Sequence, residues 1–162
     1  MVRVGAPAAG LLLVGIGALA YESVRQSRAN TERVEYTYQV LSVLELLLSY
    51  LKDAETGQRG YLLTGDLRYL EPYHAAVDRL WQDSEQLRQL TTDNPRQQQR
   101  LRRLQPLIDS RMRILEQSIV LRQRAGLTPA LRLVLTGEGK QLMDEIRSVA
   151  AEMRAEEQHL LR

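Results

Sequence analysis

Two short strings in this chain have the form that a metal site would use. Glu71-Pro-Tyr-His74 and Glu156-Glu-Gln-His159 each set a carboxylate and an imidazole three residues apart, on one face of a helix. Two such pairs, with a glutamate from each of two further helices, make the dinuclear centre of ferritin-like bundles. Topology opposes it here. In helices that alternate in direction, the start of the second and the end of the fourth lie at opposite ends. Roughly twenty residues of helix then put His74 and His159 about 30 Å apart, so no metal is expected. Other chemistry is equally poorly supplied. Cysteine is absent, which removes thiolate sites, disulfides and c-type haem attachment. There is no Gly-x-Ser-x-Gly string, and Thr136-Gly-Glu-Gly-Lys140 lacks the spacing and the preceding strand of a phosphate-binding loop. No catalytic residue and no cofactor are expected, and the chain is not read as an enzyme.

The polar residues that remain unexplained lie in Asp53-Ala-Glu-Thr-Gly-Gln-Arg-Gly-Tyr-Leu-Leu-Thr-Gly-Asp66. Leu41, Leu44, Leu48 and Leu51 recur at spacings of three and four, the mark of a buried helical stripe. In that phase the next inward positions are Glu55, Gln58 and Leu62, so a carboxylate and an amide point where leucine was due. Arg59 is four residues after Glu55, the favourable order for a helical ion pair. A small rotation of the helix would leave that pair half exposed. The alternative is a buried network, with Arg111 or Arg147 as the partner of Glu55 across the bundle. Such a contact would fix register more than it adds stability, and could act as a switch point. Gly57 and Gly60 also need a packing reason, since glycine inside a helix costs about 0.5–1 kcal/mol relative to alanine. Tyr50, Tyr69 and Tyr73 gather near the same end and could line a ligand pocket; such rings are more often core residues whose hydroxyl reaches solvent.

The elements that must position these residues are all helical. Leucine carries the apolar pattern, phenylalanine is absent, and no period-two alternation lasts. Helix one is expected from Glu22 to Thr64, ended by Gly65 as a left-handed cap, with Asp66 opening the next segment. Pro72 restricts the start of helix two, which runs to about Leu90 through Tyr73, Val77, Leu80 and Leu87. Thr91 to Pro95 is a turn cluster. Helix three spans about Arg96 to Arg124, with Leu101, Leu104, Ile108, Met112, Leu115 and Ile119 inward and Pro106 as a kink. Gly126-Leu-Thr-Pro129 breaks the pattern, Ala130 to Leu135 is a short helical piece, and Thr136 to Gly139 breaks it again. Helix four runs from Lys140 with Leu142, Ile146, Val149, Met153 and Leu160 inward.

At 162 residues the chain is one domain with, at most, a membrane segment. Residues Val4 to Tyr21 contain no charge and as a helix would rise about 27 Å, just enough for a hydrocarbon core. Three readings compete for residues 1–21: a membrane anchor; a cleaved signal peptide, since Ala18-Leu19-Ala20 fits a cleavage site; and a buried soluble helix. The formal net charge is +2, and the basic residues, all arginine except Lys52 and Lys140, alternate with acids and glutamine. That is a solvated helix face rather than a nucleic-acid patch, so no nucleic acid is expected as a partner.

The Asp53–Asp66 string, followed by Tyr69-Leu-Glu-Pro-Tyr73, resembles the signature of the third class of CHASE sensory domains. Gly139-Lys-Gln-Leu-Met-Asp-Glu-Ile-Arg147 is similar to that family's last helix. The resemblance covers about residues 22–162. It marks Glu55, Thr56, Gly57, Arg59, Gly60, Tyr61, Thr64 and Gly65 as signature positions, and implies an extracytoplasmic antiparallel four-helix bundle that feeds a signalling output. It names no ligand. Arg3 before the apolar run, against Arg25, Arg28 and Arg33 after it, slightly opposes an outside bundle; the orientation that the resemblance implies is adopted. Helix four is still running at Arg162, so the chain is expected to be the input module of a longer receptor: a histidine kinase first, then a cyclase or chemoreceptor. A homodimer is expected, because Val34, Tyr36, Tyr38 and Val40 cover more than one helix face. The rival from another class is a secreted or anchored helical adaptor with no signalling role.

Overall fold

The computed structural model describes the backbone of residues 5–160, with side chains at 21–23, 25, 31 and 33–160. Five α-helices and one 3-10 turn are found among them: α1 (Gly5–Thr64), the turn (Leu67–Leu70), α2 (Glu71–Leu90), α3 (Pro95–Ala125), α4 (Leu127–Leu135) and α5 (Glu138–Leu160). The described residues contain no strand, and the fold is an all-helical bundle. Contacts divide the chain into two units, residues 1–36 and residues 37–162. The first is helical wherever it is described; the second holds the core. Among the described residues no helix is long and apolar enough to cross a membrane. The segment expected as an anchor, residues 4–21, falls almost entirely on side chains outside the described residues.

Local signals at the helix ends act as expected, with two shifts. Gly65 takes a φ of 73° and its amide donates to the Tyr61 carbonyl at 2.8 Å, closing α1 in the left-handed conformation that glycine adopts without strain. Asp66 caps the 3-10 turn by accepting from the Arg68 amide at 2.9 Å. Asn94 caps α3, accepting from the amides of Arg96 and Gln97, with Pro95 in the first turn where its missing donor does no harm. The breaks expected over residues 126–129 and 136–139 shrink. Pro129 lies in the first turn of α4 and Glu138 already starts α5, so the glycines at 126 and 137 suffice. Both have positive φ, 88° and 78°.

Side-chain pairings within the second unit set the helix directions. Gln97 meets Glu157, Arg103 meets Glu152, and Arg111 lies against Gly139, so α5 runs opposite to α3. Glu55 meets Arg111, Gln58 meets Ser118 and Leu62 meets Arg122, so the last part of α1 runs with α3. Gln98 reaches back to Arg88 while Tyr73 shares a cavity with Met112, so α2 opposes α3.

The core is mostly leucine and isoleucine. Leu44, Leu51, Leu80, Leu87, Leu104, Ile108, Leu115 and Ile146 are almost fully buried, each worth about 1.5–3 kcal/mol of burial. All six inward positions expected for α3 are buried. In α1 the expected Leu44, Leu51, Gln58 and Leu62 are buried, but the stripe is turned slightly. Val40, Leu44, Leu47, Leu51, Ala54, Gln58 and Tyr61 form the buried line, while Leu41 and Leu48 are only half-buried. The run Leu46-Leu47-Leu48 lets the stripe be drawn either way, and Ala54 settles it, because a small residue lets the neighbouring helix approach. In α5 the expected Ile146, Val149 and Met153 are buried, and only the ends differ: Met143 and Glu157 are inside where Leu142 and Leu160 were expected, and Leu160 is exposed.

Candidate functional site

The polar residues of the signature divide into two faces of α1. Glu55, Gln58 and Arg59 look toward α3 and the start of α5. Gly57, Gly60, Tyr61, Thr64 and Gly65 build the corner where α1 gives way to α2.

On the first face, Glu55 bridges two arginines. Its carboxylate accepts from Arg59 one turn on and from Arg111 of α3, the latter at 2.9 Å. The Arg111 side chain is 6% exposed and that of Glu55 19%. The cross-bundle pair is therefore largely dry, whereas Arg59 sits mostly in water. One turn further into the bundle, Gln58 donates to the Ser118 hydroxyl at 2.7 Å, and that hydroxyl donates to the Leu115 carbonyl at 2.7 Å. Each polar group placed inward by the sequence is thus met by a polar group on α3. Arg111 also has Gly139 of α5 at its back: a Cβ there would collide with the guanidinium. Of the two cross-bundle partners expected for Glu55, Arg111 is the one that engages. Arg147 does not; it is half exposed and pairs with Asp144 at 3.2 Å. It is displaced from Glu55 because α5 buries Met143, Ile146 and Ala150, which turns residue 147 outward. The Asp144 carboxyl, hydrogen-bonded first by Lys140 and attracted also by Arg147, is held below its ordinary pKa.

On the second face the glycines answer a steric demand. A Cβ at Gly57 would lie 2.8 Å from the Tyr69 carbonyl oxygen and 3.0 Å from the Tyr73 amide nitrogen. At Gly60 it would meet the Tyr69 ring, with Cγ at 2.9 Å. Thr64 donates to the Gly60 carbonyl at 2.7 Å and accepts from the Asp66 amide at 3.1 Å. Arg122 of α3 donates its Nε to the Leu62 carbonyl at 2.9 Å, satisfying one of the last acceptors of α1. The glycines predict a graded outcome. Gly57→Ala should destabilise by about 1–3 kcal/mol, because the obstacle is backbone and α1 must move away from α2. Gly60→Ala should lose less, since the obstacle is the side chain of Tyr69, a residue 47% exposed, whose ring can swing aside. Urea unfolding of the two variants checks the order.

Tyr69 and Tyr73 take part in that corner, and none of the cavities described among these residues is lined by all three tyrosines. Tyr73 is buried, and burial first, with the Glu116 charge second, raises its phenol pKa. The cavity beside it is walled by His74, Val77, Met112 and Glu116 but not by Tyr50 or Tyr69, because the corner folds Tyr69 over Gly60 instead. Thr56 is exposed at the rim of the cleft that holds Glu55. The two histidines are far apart. His74 stacks edge-on to Tyr73 with ring centres 5.4 Å apart, in the layer of Glu116, and His159 lies just past Glu157, in the layer of Gln97. From Gln97 to Glu116, α3 rises roughly 28 Å. Among the described residues no three metal-ligating side chains converge.

A second polar layer went unread in the sequence. Glu157 of α5, fully buried, accepts from Gln97 Nε2 at 2.6 Å and from the Thr37 hydroxyl at 3.2 Å. Gln97 Nε2 also donates to the Met153 carbonyl at 3.0 Å, and its own oxygen accepts from Arg100 at 3.4 Å. The signal was present: no apolar residue fills the inward positions between Met153 and Leu160, and Gln97 stands one turn before Leu101 on the α3 stripe. Outside this layer, Arg96, Arg100 and Arg103 pair with Glu152 and Glu156 along the α3–α5 edge.

The match to known proteins agrees with this arrangement. The family model of the CHASE3 domain matches residues 30–162. The crystal structure of the Rhodopseudomonas palustris histidine kinase HK9 sensor domain superposes with a TM-score of 0.72 at 29% identity, covering 76% of this chain and 97% of that one. No curated protein matches the chain. The chain belongs to the CHASE3 family, whose members are extracellular sensory domains of membrane receptors, and it is a non-catalytic, extracytoplasmic sensory input domain of a signal-transduction receptor.

Proposed function

We propose that this input domain serves a membrane-anchored histidine kinase of a two-component system, with residues 1–21 as the membrane anchor and residues 22–162 as a periplasmic four-helix bundle acting in a parallel homodimer. The similarity to the HK9 sensor domain supports the kinase as output. The transmission step is a change of helix packing, and one observation carries it: a buried polar layer joins α1 to α5, the helices nearest the two ends of the chain, through Thr37 and Glu157, while a second joins α1 to α3 through Glu55 and Arg111, which lies against Gly139 of α5. Polar contacts of this kind have few alternative geometries, so a shift at one layer is passed on as a discrete step. The test is crosslinking in membranes of cells that make the whole receptor. Single cysteines at residues 25 to 40 are expected to form disulfide-linked dimers with helical periodicity, and the strong positions should change when the receptor is stimulated. A uniform absence of crosslinks overturns the dimeric mechanism.

A further inference from the structure

The Glu55–Arg111 pair forms one wall of a cleft of about 500 Å³ between α1, α3 and the start of α5, closed on one side by Val134 of α4. That volume suits a small ligand. Its charge is lopsided: Lys52, Arg59, Arg111, Lys140 and Arg147 line it against only Glu55 and Asp144. Both carboxylates are already shared between two cations each, so the surplus is positive. The first turn of α5 adds the partial positive charge of a helix N-terminus, with the Arg111 guanidinium packed against Gly139 there. One donor of the Arg111 side chain that lines the cleft is unfilled: Arg111 is 5% exposed and its buried Nε has no hydrogen-bond partner. A guanidinium this deep ordinarily uses its donors, since an unmet buried donor is unfavourable.

We propose that this cleft binds a small organic monocarboxylate, with its carboxylate on Arg111 and its apolar body against Val134, Met143 and Ile114. The apolar wall argues against a bare inorganic anion, which would leave it uncovered. Glu55, 2.9 Å from the same guanidinium, argues against a doubly charged head group by repulsion. The planar fork of arginine matches the two oxygens of a carboxylate. On binding, the ligand competes with Glu55 for Arg111, and Glu55 keeps Arg59 as its partner, so the tie between α1 and α3 loosens. That consequence rests on the sensory mechanism proposed above; binding itself does not.

Calorimetric titration of the 162-residue chain with hexanoate tests the site, with hexylamine and sulfate as matched probes. Hexanoate is expected to bind and to raise the thermal midpoint, hexylamine to do neither, and sulfate to bind at least tenfold more weakly. Arg111→Gln should weaken hexanoate at least tenfold. Because that variant can disturb the bundle, Arg147→Gln, at a half-exposed position, provides a folded control and should weaken binding about threefold. Affinity unchanged in both variants overturns the site, as does hexylamine binding as well as hexanoate; sulfate binding more tightly than hexanoate overturns the organic carboxylate. Hexanoate bound by the wild-type chain, with no change in output of the whole receptor, would keep the site and overturn the sensory mechanism instead.

Discussion

Replacing Glu55 by alanine should destabilise the bundle by about 3 kcal/mol, the lower end of what is lost when one member of a buried ion pair is removed. Arg111, the partner left behind, is 6% exposed and cannot turn to water without moving α3 or α5, but Glu55 itself is 19% exposed, so its own desolvation was incomplete. The i,i+4 pair with Arg59 adds little, because that arginine is two-thirds exposed and such pairs contribute about 0.3–0.5 kcal/mol. Urea unfolding of wild type and Glu55→Ala measures the difference; a loss under about 1 kcal/mol would mean that Arg111 finds water or another acceptor. Glu55→Leu separates fold from signalling. It restores the apolar volume but not the counterion, so it should recover only part of the loss unless Arg111 is replaced too. The double variant Glu55→Leu with Arg111→Met should regain stability near wild type, since a well-packed apolar pair often equals a buried ion pair. A receptor carrying that double variant should fold and fail to respond. A normal response would make the polar contact purely architectural.

How much of this was legible in the amino-acid sequence depended on what kind of residue carried the information. The class and several helix ends were legible, because they rest on local chemistry: Gly65, Asp66 and Gly126 stop or start helices regardless of what packs beside them. The family resemblance marked the α1 signature, and Arg111 was legible as a partner because a charge on the α3 stripe has few places to go. Rotation of the helices was not. Leu41, Leu44 and Leu48 define as regular a stripe as Val40, Leu44 and Leu47, and only the close approach at Ala54 and Gly57, a matter of the neighbouring helix, decides between them. That slight turn moves Glu55 from the centre of the interface to its edge. The role of Gly57 and Gly60 could be posed from sequence but not answered, because the atoms they make room for, Tyr69 and Tyr73, belong to the far side of the corner.

The second polar layer should respond more sharply than the first, because it is drier and holds no cation against the carboxylate. Glu157 is fully buried and depends on Gln97 for its 2.6 Å hydrogen bond; the Thr37 hydroxyl, at 3.2 Å, is the weaker donor. Gln97→Leu keeps the volume and the α3 stripe but withdraws that donor, and it should destabilise by about 3–4 kcal/mol, beyond the 1.5–3 kcal/mol usual for a hydrogen bond to a charged group, since an unmet buried charge adds its desolvation penalty. Glu157→Leu alone should lose less, because Gln97 keeps the Met153 carbonyl as acceptor at 3.0 Å. The informative variant is the pair. With both residues changed to leucine no polar group is stranded except the Thr37 hydroxyl, which as a helical residue can turn to its own backbone. The double variant should therefore be more stable than Gln97→Leu, and the interaction energy from the cycle should be about 2 kcal/mol or more, as for residues in one buried network. Additive losses would mean that water reaches Glu157 in the single variant, and that α1, α3 and α5 are not held together at this level as tightly as the burial of the layer implies.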